Sequence, residues 1–215
     1  MSKNSISGLK TIALPKPAFP RCLTVFKALK KRRTSRSIGE KKITLQQLSD
    51  ILWAAQGVNR LKGPFGGLGR TAGSASNSQE ICMYVMREEG TYLYEPEAHR
   101  LAPVAAGDSR SLAIGRGQGK AGANAPLRLI YVVDIERFKN AGFDEPGLHD
   151  AEIQKSYYFV DTGLIAQNVY MASAALGLAS WFHNCDKIRF AKEMRLKPHQ
   201  RPLFGQTVGY EDDAL

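Results

Sequence analysis

Cysteine is scarce in this sequence: Cys22, Cys82 and Cys185 are the only three, and no two of them form a Cys-x-x-Cys pair. That spacing indicates neither a zinc site nor a disulfide framework, so free thiols are expected. The four histidines, His99, His149, His183 and His199, show no metal-ligand spacing either. Behind Met1-Ser2-Lys3-Asn4 there is no apolar stretch of the kind a secretory signal carries, which predicts a cytoplasmic protein. The longest mostly apolar segment, 157–179, is interrupted by Asp161, Gln167 and Asn168. Each is costly in lipid, so the segment reads as a buried helix and no membrane partner is expected.

Acidic residues are nearly missing from the first 42 positions, where Glu40 stands alone against twelve Lys/Arg. Residues 43–215 carry eighteen Lys/Arg against nineteen Asp/Glu, so the formal charge of +10 is a local property of the N-terminal segment. A nucleic-acid surface would spread its basic residues over a face and add aromatic or base-reading side chains, and this cluster does neither. Nucleic acid is therefore not the expected partner, and a basic-arm nucleic-acid-binding protein ranks last among the alternatives.

With 43% apolar residues in 215, the chain has material for one real core. Residues 1–20, with Pro15, Pro17 and Pro20, read as an extended arm, and 21–215 as a single domain. Leu23, Phe26 and Leu29 recur at helical spacing before the basic run Lys30-Lys31-Arg32-Arg33, predicting a short helix with a basic end. A second helix begins at Thr44, with Gln47 placed to complete a capping box, buries Leu45, Leu48, Ile51, Leu52 and Ala55, and ends at Gly57. Five glycines and Pro64 between Lys62 and Gly73 predict a mobile loop. Ile81 to Met86 reads as a strand, turned by Glu88-Glu89-Gly90 into Tyr92-Leu93-Tyr94, and Leu127 to Val133 as a second buried strand. A long helix from about Ala151 to Leu176 follows, then strands at Ala179–Phe182 and Leu203–Val208 around a helix from Asp186 to Leu196. Helices and strands alternate without a βαβ rhythm, so the expected class is α+β, with a mixed, largely antiparallel central sheet layered with helices.

Two segments offer ligand chemistry. Arg32-Arg33-Thr34-Ser35-Arg36 packs three guanidinium groups and two hydroxyls into five residues, and arginine forks match phosphate oxygens bidentately. Alone, it fits a solvated basic helix end just as well. Gly73-Ser74-Ala75-Ser76-Asn77-Ser78-Gln79 enters the first strand with small polar residues that let backbone approach a planar ligand, although an ordinary polar loop has the same composition. Gly115-Arg116-Gly117-Gln118-Gly119-Lys120-Ala121 is one residue short of Walker spacing and has Ala121 in place of the Mg²⁺-binding hydroxyl, so it reads as a loop. His183 and Cys185 alternate on a strand and read as a packed pair rather than as base and nucleophile.

Taken in order, Arg32-Arg33-Thr34-Ser35-Arg36, then Leu48-x-x-Ile51-Leu52-Trp53-Ala54-Ala55-Gln56-Gly57, then Arg70-Thr71-Ala72-Gly73-Ser74-Ala75 resemble the nitroreductase family of flavin proteins. The branch they most resemble is related to the dehydrogenases of thiazole/oxazole peptide maturation. Asp161-Thr162-Gly163, Gln167-Asn168 and Ala174-Ala175-Leu176-Gly177-Leu178 are similar to the family's central helix, and Gly209-Tyr210 to its closing Gly-Tyr-Pro. The match runs from about Arg32 to Tyr210.

This resemblance implies a homodimer whose interface carries two flavin mononucleotides (FMN), each held by both subunits. Arg32, Arg33, Thr34 and Arg36 would hold the phosphate and nearby ring edge, while Ser74, Ala75, Ser76 and Asn77 would come from the other subunit. Gln118 sits where the family often has an amide near the flavin, and Phe182, His183 and Asn184 fall beside the ring. The implied activity moves two electrons from NAD(P)H to a small organic acceptor, such as a nitroaromatic or quinone, in a ping-pong cycle. The chemistry belongs to the flavin, so no catalytic acid or base and no metal is assigned. A flavin-binding or redox-sensing module without turnover and a peptide azoline dehydrogenase are the alternatives. Three departures stand out: Gly73 where the family usually has proline, Glu80 where many members have proline, and Glu211 in place of the closing proline. The five residues after Tyr210 include no basic group, which predicts a weaker phosphate site or a larger share for Arg36.

Overall fold

The computed structural model describes residues 6, 8–18, 24–115 and 125–212. Its centre is a seven-stranded sheet ordered β1-β6-β5-β4-β7-β9-β8, built from β1 (Ile12–Ala13), β4 (Ile81–Arg87), β5 (Gly90–Glu95), β6 (Arg100–Ala106), β7 (Leu127–Asp134), β8 (Ala179–His183) and β9 (Gln200–Gly209). Every pairing between these strands is antiparallel. A separate two-stranded ribbon joins β2 (Val58–Arg60) to β3 (Gly69–Arg70). The helices are α1 (Val25–Lys31), α2 (Leu45–Gln56), α3 (Ala151–Ala175) and α4 (Lys187–Glu193). The architecture is therefore α+β with a large antiparallel sheet.

Both faces of the sheet are covered, which is why β4 and β7 read as nearly continuous apolar runs. Alternate residues Ile81, Met83 and Val85 of β4 and Leu129, Tyr131 and Val133 of β7 pack with Leu48, Ile51 and Leu52 of α2 and with Ile165 and Val169 of α3. The intervening Cys82, Tyr84, Met86, Ile130 and Val132 face Phe190 and Met194 on the opposite side. Thr44 and Gln47 form the expected capping box on α2. Gly57 caps that helix with extended backbone, and a Cβ there would lie 2.3 Å from Cδ1 of Trp53, so the position takes only glycine.

Over its described residues the arm is tied to the sheet: Ile12 and Ala13 pair with Leu101 and Arg100, and the Pro15 carbonyl accepts from Ser49 Oγ at 2.5 Å. Other expectations are corrected. Helix α1 forms, but it buries only Ala28 and leaves Phe26 83% exposed. Leu23 lies outside the described residues. The Gly-rich stretch contains β3 rather than loop throughout. The helix expected from Asp186 to Leu196 is shorter, because Asp186 is its cap and Arg195 turns left-handed at φ 52°.

Helix α3 buries Tyr158, Ile165, Ala166 and Val169 in the core together with Asp161, Thr162 and Ser173, and in addition leaves Ile153, Val160 and Leu164 exposed on its other side. Positions 153, 160 and 164 fall on one stripe at helical spacing. Gly163 lies beside them, and a Cβ added there would meet nothing within 4 Å. Among the described residues, no helix is long and apolar enough to cross a membrane.

Candidate functional site

Residues 32–36 leave α1 in extended conformation and run beside β8, the last strand in the sheet order. Thr34 bridges Ser180 in parallel, and Ser35 N donates to Ser180 O at 3.0 Å. On the other side, Gly39 N donates to Tyr210 O at 3.0 Å and Ile38 bridges Glu211. The basic segment is thereby fixed by backbone between β8 and the end of β9.

Its side chains converge on two groups: Tyr170, which sequence reasoning did not single out, and Glu211, which it marked only as a departure from a family proline. Thr34 Oγ1 shares a 3.0 Å hydrogen bond with Tyr170 OH, and the Arg32 guanidinium lies 5.5 Å from the Tyr170 ring centre. Tyr170 OH also accepts from Phe182 N at 2.8 Å, so one phenol on α3 joins the basic segment to β8. The second group is Glu211. Its carboxylate pairs with Arg33 and accepts from Ser35 Oγ at 2.8 Å, and these donors hold it below the usual carboxylate range. Arg36 lies over the Trp181 ring at 5.8 Å. An open cavity of about 840 Å³ is lined by Lys30, Lys31, Arg32, Arg33, Tyr170 and Glu211, among others.

The second expected half is a strained turn. Ser76, Asn77 and Gln79 have φ of 47°, 57° and 53°, three left-handed non-glycine residues within four positions. Such conformations cost of order 1–3 kcal/mol each and persist only when their surroundings hold them. Here Ala75 N donates to Asp161 Oδ2 at 2.9 Å, Gln79 N donates to Ser74 Oγ at 3.0 Å, and Gln79 Nε2 donates to Leu68 O at 2.8 Å and Asn77 Oδ1 at 3.0 Å. Glu80, fully buried behind the turn, accepts from Ser78 Oγ at 2.8 Å. Burial and the neighbouring Asp161 raise the Glu80 carboxyl to about 8, and burial raises Asp161 as well.

On β8, Phe182 and His183 point to opposite faces. Phe182 packs against Phe204 at 4.9 Å between ring centres, whereas His183 is buried, with Nε2 2.8 Å from Thr207 Oγ1 and Nδ1 2.8 Å from Asn184 O. Burial lowers its pKa to about 4, so the ring is neutral. Asn184 is exposed and its Oδ1 accepts from Cys185 N at 3.0 Å; burial raises the Cys185 thiol to about 11. Gln118 lies outside the described residues.

Arg32, Thr34 and Phe182 are thus brought together at Tyr170. The Ser74–Asn77 turn is not: it meets α3 at Asp161, nine residues earlier, about 13 Å along the helix axis.

Comparison with known proteins places this geometry. A Methanocaldococcus jannaschii protein whose name assigns it to the nitroreductases is 31% identical over 157 residues, covering 70% of this chain and 73% of its own. The crystal structure of a protein from Ralstonia eutropha JMP134, also described as a nitroreductase, superposes with a TM-score of 0.83 at 30% identity, over 96% of this chain and 92% of that one. A chain of the E. coli microcin synthetase McbBCD complex, solved with truncated pro-MccB17, has a TM-score of 0.67 at 19% identity, over 97% and 80%. At that identity the likeness is one of fold. The nitroreductase family profile matches residues 29–210, from the end of α1 through Tyr210, and this chain is an oxidoreductase of the nitroreductase family.

Proposed function

We propose that the chain works as a homodimeric, FMN-dependent oxidoreductase passing two electrons from NAD(P)H to a small organic acceptor such as a nitroaromatic or quinone. The observation that carries this reading is the basic segment at Tyr170, where guanidinium groups and hydroxyls line an open cavity large enough for a phosphate and part of a ring system. That donor set fits a phosphomonoester. Arg32, Arg33, Thr34 and Arg36 would hold the phosphate and ring edge. Ser74, Ala75, Ser76 and Asn77 would come from a second copy, which supports a dimer because one chain keeps the two halves apart along α3. Phe182 supplies an apolar wall, Asn184 an exposed amide and neutral His183 an uncharged backing, with Gln118 completing the amide contacts. When bound, FMN supplies the hydride chemistry at one shared face, so donor and acceptor must alternate.

The test is direct. Purified protein should be yellow, should bleach with NADPH or NADH under nitrogen and should recover colour when a quinone is added. Steady-state plots at several fixed acceptor concentrations should be parallel. Colourless protein that gains no colour on adding FMN, or intersecting plots, would reject the reading.

Two substitutions separate the phosphate contacts. Arg36→Ala should weaken FMN binding by ~1.5–3 kcal/mol, the scale of a charge-assisted hydrogen bond. Glu211→Gln should act in the opposite direction, because Glu211 occupies the donors of Arg33 and Ser35 that a phosphate needs. That ion pair is largely exposed, so the gain should be roughly 2- to 5-fold in affinity. Fluorescence quenching of added FMN reads both, and a Glu211→Gln variant that binds more weakly would mean the carboxylate orders the segment instead of competing for it.

A further inference from the structure

Away from the basic segment, a cavity of about 500 Å³ opens beside β4 and β5, with β7 and β9 between it and β8 in the sheet order. Arg70 of β3 and Arg137 both line it. Arg70 has no ion pair among the described residues, and its buried Nε has no hydrogen-bond partner. Arg137 spends one donor on the Gln79 carbonyl at 2.9 Å. Gln56, at the end of α2, adds a second buried orphan, its Oε1.

Glu95 and Glu97 line this cavity too, but neither forms an ion pair with Arg70 or Arg137 among the described residues. Burial and then the Arg137 charge lower the Arg70 guanidinium to about 10, and the field of exposed Glu97 does not offset them. Glu95 is already paired with Arg100. The Cys82 thiol and Tyr94 phenol, which also line the space, are pushed up by burial and stay protonated. Two neighbouring cations, one with a buried unmet donor and no carboxylate in contact, are costly unless an anion enters from outside. An arginine fork accepts planar carboxylates and phosphates alike.

We propose that this cavity is a second ligand site, distinct from the Arg32–Arg36 segment, which binds a small oxyanion, carboxylate or phosphate, between Arg70 and Arg137. Arg70 supplies the buried arm of the clamp and Arg137 the arm nearer solvent. The mouth is open enough for a free metabolite-sized anion to enter without unfolding of the sheet.

Calorimetric titration of the purified full-length protein with inorganic phosphate, acetate and citrate, at ionic strength fixed with sodium chloride, tests this. At least one probe should bind saturably at one per chain, and the phosphate and carboxylate arms tell which chemistry the site prefers. Binding should weaken about ten-fold or more in Arg70→Gln and in Arg137→Gln, the scale of one charge-assisted contact. It should be unchanged in Arg36→Gln, which removes one of the three arginines of the other basic segment. Arg137 is half-exposed and its substitution should leave the fold intact, so it keeps the test valid if Arg70→Gln fails to fold. No saturable binding of any probe, or binding lost in Arg36→Gln and retained in Arg137→Gln, would overturn the proposal. The effect of Arg36→Ala on FMN affinity tests the flavin reading separately, which keeps the two outcomes distinguishable.

Discussion

Replacing Val160 and Leu164 together with glutamate should turn a dimer of about twice 23.7 kDa into a monomer and abolish FMN retention. The reason lies in the second apolar stripe of α3. Val160 and Leu164 are 61% and 47% exposed in the single chain, while Asp161 and Thr162, one position away, are buried. The core already takes the Tyr158, Ile165 and Val169 side of the helix, which leaves the exposed apolar stripe uncovered within one chain. A second copy supplies the cover, because an isologous contact along the 153–164 stripe would cover both helices at once. Gly163, with open space above its Cα, permits close approach there. Two buried glutamates per protomer with no cationic partner would cost more than such an interface returns. FMN should be lost with the dimer if, as proposed, the Tyr170 cluster of one chain and the Ser74–Asn77 turn of a second hold the same ligand. Sedimentation and the colour of the gel-filtered protein measure the two effects on one sample. A monomeric variant that stays yellow would show that one chain holds the flavin alone.

Periodicity and a capping box made α2 legible in the sequence, whereas β4, β7 and α3 were legible as long, mostly apolar runs, even though part of the α3 run is exposed. Strand β6 was hidden by Pro103, which cannot donate to a ladder. The structure accommodates it beside Tyr92, where the register with β5 shifts. Strand β1 was illegible for another reason: two residues from a proline-rich arm pair with β6, and no local pattern encodes that. In the site, the arginines were visible by composition alone. Their partners were not, since Thr34 meets Tyr170 across 136 positions and Ser35 meets Glu211 across 176. Glu211 and Glu80 both surfaced only as departures from a family proline, a signal that marks a position without saying what the new side chain touches.

Glu80→Gln should remove most of the pH dependence of stability between about pH 5 and 8. In the folded protein the Glu80 carboxyl titrates near 8, against an ordinary value of 4.5. Between those values the folded state keeps a proton that the unfolded state has released. Stability is therefore fully present below about 4.5 and declines as pH rises through 8. The proton is held by burial and by the neighbouring Asp161, whose own carboxyl burial also pushes up, so ionising both would set two like charges side by side. A glutamine side chain has nearly the same shape and cannot ionise. Thermal melts should show wild type falling steadily from pH 5 to 9 while the variant stays nearly level, leaving the variant ahead at pH 9 by on the order of 5 °C. The flavin should follow, because Asp161 Oδ2 anchors Ala75 N and with it the left-handed turn at Ser76 and Asn77. Wild-type FMN affinity should weaken between pH 7 and 9, and Glu80→Gln should hold it constant. Melting curves that fall in parallel for the two proteins would show that Glu80 does not carry the titrating proton.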